Sequence, residues 1–323
     1  MKVAYKIVAG GTNITELIAD RLLLAQITDQ AGVKSDRLML VIDDRDERLE
    51  VPKTGVKIEV SLGYVGQALV RMGSYTVTDV EVEGPARQMT VHANAVDMTK
   101  GIRSPKERSW PNVTFGNLVR TIASDNGLTP AIAPELAGRQ LEHIDQTESD
   151  MHLLQRVCAE QGATCKVADG RLVVATRAGG KAASGAQMPR ANIEAGSCAS
   201  WSATMTDRSK YKAVKAYYHD AGKARRTGVT AGSGKPVMTL KNTYANKDEA
   251  KNAAESKLKV LSSGAKDVRI SAMVGDPEMS AERLATLSGF RKGVDGDGYV
   301  VNSVTHTFSG DGYTCDVELE SKG

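Results

Sequence analysis

The chain carries a repeated strand motif, and this repeat constrains the fold more than any other feature of the sequence. The spacing Tyr-x-Val-x-x-Val begins at Tyr75 and again at Tyr299. A glycine followed by an aromatic residue precedes each copy, at Gly63 and at Gly289. We interpret the pattern as an internal duplication, which predicts two copies of one β-domain separated by a different region.

The second copy lies in a segment that has the pattern of a β-hairpin. Over residues 312–320 apolar residues alternate with polar ones, and residues 309–312 supply the turn. Around the first copy, short strands follow one another with a glycine or proline at each corner, which predicts a barrel or sandwich ending near residue 100. In one of these strands, residues 38–42, both faces are apolar, so we expect it to be covered on both sides.

Between the two β-regions the sequence changes to helical periodicity. Residues 100–109 are charged and predict a linker. Thr114 and Ser149 precede apolar stripes and are suited to cap two helices, while Asp169-Gly170 predicts a hairpin turn. The predicted domains are a β-domain over residues 1–105, a small α/β domain over residues 106–178 and a second β-domain over residues 179–323.

The last region combines strands with one long helix. Residues 178–186, rich in glycine and alanine, predict a flexible connector, and Asn246 is suited to cap the helix. Residues 268–274 alternate in polarity, so we expect Ala272 and Val274 on the buried face of a strand. The fold class that these patterns predict is α+β, mainly β.

The charge balance and the low aromatic content exclude a strongly basic nucleic-acid-binding protein. The chain has 42 Lys and Arg residues against 39 Asp and Glu residues, and aromatic residues make up 4%. The four cysteines show no ligand or disulfide spacing, no apolar run approaches the ~20 residues that cross a bilayer, and no signal-peptide pattern opens the chain. We therefore expect a soluble protein made in the cytoplasm, with no membrane span and no specific nucleic-acid binding.

Two glycine-rich segments resemble ligand-binding loops but lack required residues. At residues 232–235 the phosphate-loop spacing is one residue too long, and Pro236 replaces the Ser or Thr that binds magnesium. In the segment that begins at Asp295, positions that should bind calcium fall on Tyr299 and His306. We expect a loop at the first segment and a strand-entry turn at the second.

The sequence predicts no catalytic, cofactor-binding or metal-binding constellation. The five histidines lie far apart, and we expect each of them, including His306, at a polar position of a strand or helix. Cys158 falls on the apolar stripe of a predicted helix, which favours a buried thiol over a nucleophile.

The sequence leaves open the function of two charged surfaces. Asp316, Glu318 and Glu320 share one strand face, which is either a solvated outer surface or the acidic lining of a channel that repels nucleic acid. Residues 208–226 are rich in Lys and Arg and indicate a solvated face or a subunit contact.

Short motifs follow one another in order along nearly the whole chain. They are Ser35-Asp36-Arg37-Leu38 with Ile42-Asp43-Asp44, Pro52-x-x-Gly55 with Leu62-Gly63-Tyr64, Gly73-x-Tyr75, His143-Ile-Asp-Gln-Thr147 with Ser149-Asp150-x-His152-Leu153-Leu154, Lys166-Val-Ala-Asp-Gly170, and Val304-x-His306-x-Phe308. As an ordered set they resemble the late control protein D family, the baseplate hub of contractile phage tails and tail-like bacteriocins. The base of type VI secretion spike proteins is similar at greater distance. Residues 208–226 match no motif of the family.

This resemblance implies two tail-tube-like β-barrels flanking the small α/β domain, and a structural role without substrate or cofactor. It implies a homotrimer in which three chains with two barrels each form a six-barrel ring between a sixfold tail tube and a threefold spike. The expected partners are the tail tube protein, the spike protein, other baseplate proteins and the tape measure protein. The resemblance also implies that the protein is made in the bacterial cytoplasm and assembled into a virion or a tail-like particle.

Two other functions compete with the hub. Residues 114–128 resemble the first helix of a LysM-type fold, which would make the middle region a peptidoglycan-binding module. A wall hydrolase is disfavoured, because no paired carboxylates form a recognisable site.

Overall fold

The computed structural model describes residues 2–32, 35–95, 101–206, 211–220, 222–263 and 266–322. Strands dominate it, so the predicted mainly-β class with additional helices is confirmed. The first region is entirely built from strands. They are β1 (Val3–Ala9), β2 (Thr12–Asn13), β3 (Leu22–Gln30), β4 (Arg37–Asp43), β5 (Lys57–Tyr64), β6 (Val70–Glu83) and β7 (Gln88–Asn94).

The middle region forms two small sheets and three helices around a core of its own, after a 3-10 helix at Gly101–Arg103. As predicted, Thr114 and Ser149 cap helices, since their hydroxyls accept hydrogen bonds from the backbone N–H groups of Asn117 and His152. The elements are β8 (Arg108–Thr114), α1 (Phe115–Asp125), β9 (Thr129–Ile132), α2 (Pro134–Ala137), β10 (Gln140–Gln146), α3 (Asp150–Glu160), β11 (Ala163–Ala168) and β12 (Arg171–Thr176).

The last region returns to strands and contains the long helix, which Asn246 caps as predicted by accepting from the N–H of Glu249. A short 3-10 helix also lies at Ala195–Ser197. The elements are β13 (Ala191–Glu194), β14 (Ser200–Met205), β15 (Ala213–Asp220), β16 (Arg225–Gly232), β17 (Val237–Tyr244), α4 (Lys247–Ser262), β18 (Lys266–Val274), β19 (Leu284–Ser288), β20 (Gly296–Ser309) and β21 (Gly312–Ser321).

The first and last regions each contain a five-stranded unit of the same construction. Unit 1 has the spatial order β3–β4–β7–β6–β5, and unit 2 has the order β14–β18–β21–β20–β19, with antiparallel pairing throughout both. A β-bulge leaves Thr78 unpaired between β6 and β7, and another leaves Asn302 unpaired between β20 and β21. Each bulge directly follows the first valine of the repeated Tyr-x-Val motif. The repeat in the sequence therefore corresponds to a repeat in strand order and register.

The correspondence between the two units extends to the residues that precede β5 and β19. The backbone N–H of Gly55 donates to the carbonyl of Val77 at 2.8 Å, and that of Glu282 donates to the carbonyl of Val301 at 2.9 Å. Gly55 and Glu282 both have positive φ, at 88° and 66°. A non-glycine residue adopts this conformation rarely, so its occurrence at Glu282 indicates that the surrounding unit imposes the same turn in both copies.

The two units are joined edge to edge. The C-terminal half of β20 pairs antiparallel with β3, so that eight strands run without interruption in the order β14–β18–β21–β20–β3–β4–β7–β6. The buried apolar side chains of both units form one cluster, which includes Ile27 and Leu38 of unit 1 and Val301 and Val317 of unit 2. Separate cores for two β-domains are therefore not found among the described residues.

A second layer of the last region lies between β14 and β18 in the chain. There β16, β15 and β17 form a three-stranded sheet, and α4 covers one face of it through Ala250 and Ala254, which pack against Val214 and Ala216. Strands β15 and β16 contain residues 213–220 and 225–226 of the basic segment 208–226.

Four expectations from the sequence are corrected by the structure. The predicted linker includes the start of β8, which pairs with β10. Residues 38–42 are buried on one face only, since Met39 and Val41 remain partly exposed on the polar side of the sheet. Ala272 and Val274 are exposed because a bulge between Ile270 and Met273 reverses the alternation. No closed barrel is formed by the described strands of a single chain.

Candidate channel surface and strand edges

One face of the eight-stranded run is mostly polar, although Met39 and Val41 of β4 also lie on it. At the junction of the two units, the hydroxyls of Thr28 and Thr305 lie 3.2 Å apart, and the amide of Gln26 donates to the hydroxyl of Thr307 at 3.4 Å. In unit 1 a groove of about 740 Å³ lies on this face. Its lining includes Gln30, Arg37, Asp79, Glu81, His92 and Asn94.

The predicted acidic residues of β21 lie in three different environments. Asp316 is opposite Thr305 on the polar face, and its carboxylate accepts from the backbone N–H of Ala272 at the β18 bulge, at 2.8 Å. The carboxylate of Glu318 contacts the Nε of Arg269 at 3.3 Å. Glu320 instead forms an ion pair of 3.6 Å with Arg177, which follows β12 of the middle region. Their role as channel lining remains a prediction, and Glu320 differs from the other two in facing a second element.

Unit 1 contributes an acidic row that the sequence analysis did not single out. Asp79, Glu81 and Glu83 alternate along β6 and are exposed. The pairing of Asp79 with His92 and of Glu81 with Thr90 places them on the polar face. The signal was available in the local pattern, because the three acidic residues alternate with Val80 and Val82. The acidic residues of β21 alternate with apolar residues in the same way.

Both ends of the eight-stranded run present a strand edge without a partner among the described residues. Strand β14 pairs only with β18. Strand β6 pairs with β5 through Val70–Thr76 and with β7 through Thr76–Glu83, so the edge of its C-terminal half that faces away from β7 is free. The equivalent edge of β20 pairs with β3 of the same chain. Open edges of this length invite pairing with another chain.

A buried ion cluster attaches the middle region to unit 1. The ammonium of Lys166, on β11, lies 2.6 Å from Oδ1 of Asp29 and 3.0 Å from Oδ2 of Asp36. Burial raises the pKa of Asp36 to about 6, against the attraction of Lys166. Burial also lowers the pKa of Lys166, but attraction to the two carboxylates outweighs it, so this pKa lies above its usual value. The cluster couples the position of the hairpin β11–β12 to the strands of unit 1.

The interior of unit 2 contains a histidine, which corrects the expectation of a polar position. His306 is fully buried, with Nδ1 2.7 Å from the hydroxyl of Tyr313 and Nε2 3.1 Å from the carbonyl of Met279. Its Nδ1 also lies 3.3 Å from the sulfur of Cys315. Burial lowers the pKa of His306 and raises that of Cys315 to about 11, which opposes formation of a thiolate–imidazolium pair. The contacts among His306, Tyr313 and Cys315 satisfy buried polar atoms, and a substrate has no access to these side chains.

The remaining sequence candidates have structural positions. Cys158 is buried against Cys165 in the middle core, as its helical stripe predicts. Residues 232–235 form the connection between β16 and β17, and the segment at Asp295 leads into β20. Among the described residues no group of His, Cys, Asp and Glu could hold a metal ion. The helices in this described part of the chain are also too short or too polar to span a membrane.

Comparison with known proteins identifies relatives of this arrangement. The family model described as "Phage tail baseplate hub (GPD)" matches residues 77–312. The chain is 30% identical over 357 residues to a protein of Escherichia phage P2 named "Probable baseplate hub protein", covering 98% of this chain and 92% of the relative. A protein of Escherichia phage 186 with the same name is 29% identical over 361 residues, covering 99% of this chain and 93% of the relative.

A solved structure shares the fold at much lower identity. The tail protein from Neisseria meningitidis MC58 superposes with a TM-score of 0.73 and 12% sequence identity, and the match covers 99% of this chain and 97% of that one. At this identity the likeness concerns the fold alone. It extends over the whole chain, including the middle region and both five-stranded units.

Proposed function

The chain belongs to the phage tail baseplate hub family, and from that premise we propose that it is a trimeric adaptor between a sixfold tail tube and a threefold spike. The role as a structural hub of the tail baseplate follows from the family. The trimer, the two symmetries and the enclosure of an axial channel are the parts that we add.

The observation that carries this proposal is the duplicated unit joined edge to edge within one chain. One chain supplies two similar units in head-to-tail contact through β20 and β3. Heterologous contacts of this kind close into a ring when the rotation between neighbours allows it. Three chains then supply six similar units to a tube on one side, while the assembly keeps only threefold symmetry for the spike on the other.

The strand count fits a wide central opening. Each chain has eight strands in one uninterrupted run, so three chains would close a barrel of 24 strands. Barrels of somewhat fewer strands already enclose open or plugged lumens rather than packed cores. We assign the units to two tail-tube-like domains, residues 1–105 and 179–323, and residues 106–178 to a middle domain outside the ring.

We assign the polar face of the run to the channel. Asp316 and Glu318 of unit 2, together with Asp79 and Glu81 of unit 1, would place acidic side chains at intervals around the lumen. Acidic side chains repel nucleic acid, so such a lining would keep passing DNA from adhering. The tail tube, spike, other baseplate proteins and the tape measure protein are the proposed partners. We propose no enzymatic activity, since the buried His306 and Cys315 are closed to substrate.

Size-exclusion chromatography with multi-angle light scattering tests the proposal. We expect a mass three times that of the 34.4 kDa chain for the protein alone, or this mass plus that of the bound spike when the spike protein of the same particle is added. A single-chain mass under both conditions at every concentration would refute the trimer. A turbidity assay with purified cell walls tests the absence of hydrolase activity, and clearing of the suspension would contradict it.

A further inference from the structure

We propose that neighbouring copies of the chain join through β6 of one copy and β14 of the next, paired antiparallel in the register that β20 and β3 adopt within one chain. This inference rests on the proposed ring and names the surface that closes it. It concerns the end of β6, residues 79–83, and β14 at Ser200–Met205.

The register follows from the equivalence of the two units. Val82 pairs with Met89 of β7 just as His306 pairs with Cys315 of β21, so Val82 and His306 are equivalent.

On the other edge, Ala203 pairs with Val268 of β18 just as Ile27 pairs with Leu38 of β4. Within the chain, His306 lies opposite Ile27. Across two copies, Val82 would therefore lie opposite Ala203.

The exposure of apolar side chains on the two edges supports this pairing. His306 and Ile27, which lie on the core side of the joined edges, are 0% and 1% exposed. Val82, which faces the same side of the sheet, is 59% exposed, and Met205 at the end of β14 is 54% exposed. In the proposed register Met205 would lie opposite Val80, so the pairing would cover apolar side chains on both edges at once.

The polar sides of the two edges are also complementary. Thr204 and Ser202 of β14 would lie opposite Glu81 and Glu83 of β6, and their hydroxyls can donate to those carboxylates. Thr28 and Thr305 make the corresponding contact inside the chain, with 3.2 Å between their hydroxyls. Beside Ser202 on β18, Arg269 has a side chain that is 75% exposed and carries a positive charge toward the same row.

Self-pairing of either edge is less favourable. Two β6 edges would bring the carboxylates of Asp79, Glu81 and Glu83 against an identical row, and like charges on paired strands are destabilising. Pairing of two β14 edges with each other would leave Val82 of β6 exposed in both copies. The occupant that satisfies both edges is therefore the other edge of a second copy, which is the contact that a ring requires.

Disulfide cross-linking of a double-cysteine variant tests the register. In a Cys198→Ser background, which removes the partly exposed native thiol, Glu81→Cys with Thr204→Cys places thiols at the positions equivalent to Thr305 and Thr28. We expect oxidation to give covalent dimers and trimers on non-reducing gels, and no longer species. The matched control, Val82→Cys with Thr204→Cys, places the two thiols on opposite faces of the sheet and is expected to remain uncross-linked.

The outcomes separate this inference from the proposed function. Trimer cross-links in the first variant alone support the register. Equal cross-linking of both variants, or of neither variant while light scattering shows a trimer, overturns the register and leaves the trimeric hub standing. A protein that is uncross-linked and is monomeric by light scattering, both alone and with the spike protein, contradicts both. A ladder beyond the trimer would show strand pairing without ring closure and would overturn the closed assembly.

Discussion

Replacement of Lys166 with Met is expected to destabilise the protein more than any substitution of a surface lysine. Its ammonium is 2.6 Å from Asp29 and 3.0 Å from Asp36, and all three side chains are largely buried. Methionine keeps the volume but leaves two carboxylates close together without a cation. Breaking a buried ion pair in this way costs about 3–5 kcal/mol. We therefore expect the free energy of unfolding at pH 7.5 to fall by that amount in urea denaturation followed by circular dichroism.

The loss is expected to depend on pH, because the pKa of Asp36 is raised to about 6 from an ordinary value of 3.8. Between these values the folded protein binds a proton at Asp36 that the unfolded chain does not, so acidification stabilises the fold through this group. At pH 5 Asp36 is largely neutral, so Lys166 neutralises less negative charge there than at pH 7.5. The free energy lost in the variant should therefore be smaller at pH 5 than at pH 7.5.

Lys251→Met provides the control for the loss of one lysine charge. Lys251 is exposed on α4 and lies 3.9 Å from Glu255, in a surface pair that contributes no more than about 0.5 kcal/mol. The reasoning is refuted if Lys166→Met costs no more than Lys251→Met, or if its cost is the same at pH 7.5 and pH 5.

Three further predictions concern the interface, a helix cap and the buried histidine. Val82→Lys should reduce the trimer fraction in light scattering. The control Val65→Lys should not, because Val65 is equally exposed, at 60%, but lies in a turn away from the edge. Equal effects of the two substitutions would contradict an edge contact. Thr114→Ala should lower the free energy of unfolding by about 1 kcal/mol in urea, and an unchanged value would show that the cap on α1 is replaced by water. Because burial lowers the pKa of His306, the folded protein loses stability as pH falls through 6.5. His306→Gln should flatten this decline, measured as denaturation midpoints between pH 7.5 and pH 5. A parallel decline in both proteins would contradict the role of His306.

Local chemistry predicted the elements that depend on near neighbours. The capping residues Thr114, Ser149 and Asn246 were identified from their own side chains and the apolar stripe that follows each. The alternation over residues 312–320 located the buried face of β21 for the same reason. The repeated Tyr-x-Val motif also marked the bulged strand of each unit.

Contacts between distant segments could not be predicted in this way. The pairing of β20 with β3 joins residues about 280 positions apart, and neither strand carries a local signal for its partner. His306 is buried against Tyr313 and Met279, and neither contact has a signal in the alternation of β20. Ala272 and Val274 were misassigned because one extra residue at a bulge reverses every later side chain.

The arrangement of copies around the channel tests the central claim most directly. Single-particle electron microscopy of the purified protein, alone or with its spike, should show an annulus of six similar β-units that alternate between unit 1 and unit 2. Its map should show β6 of each chain beside β14 of the next, in one barrel of 24 strands. An assembly in which these two edges face solvent, or in which the units do not alternate around a closed ring, would contradict the account.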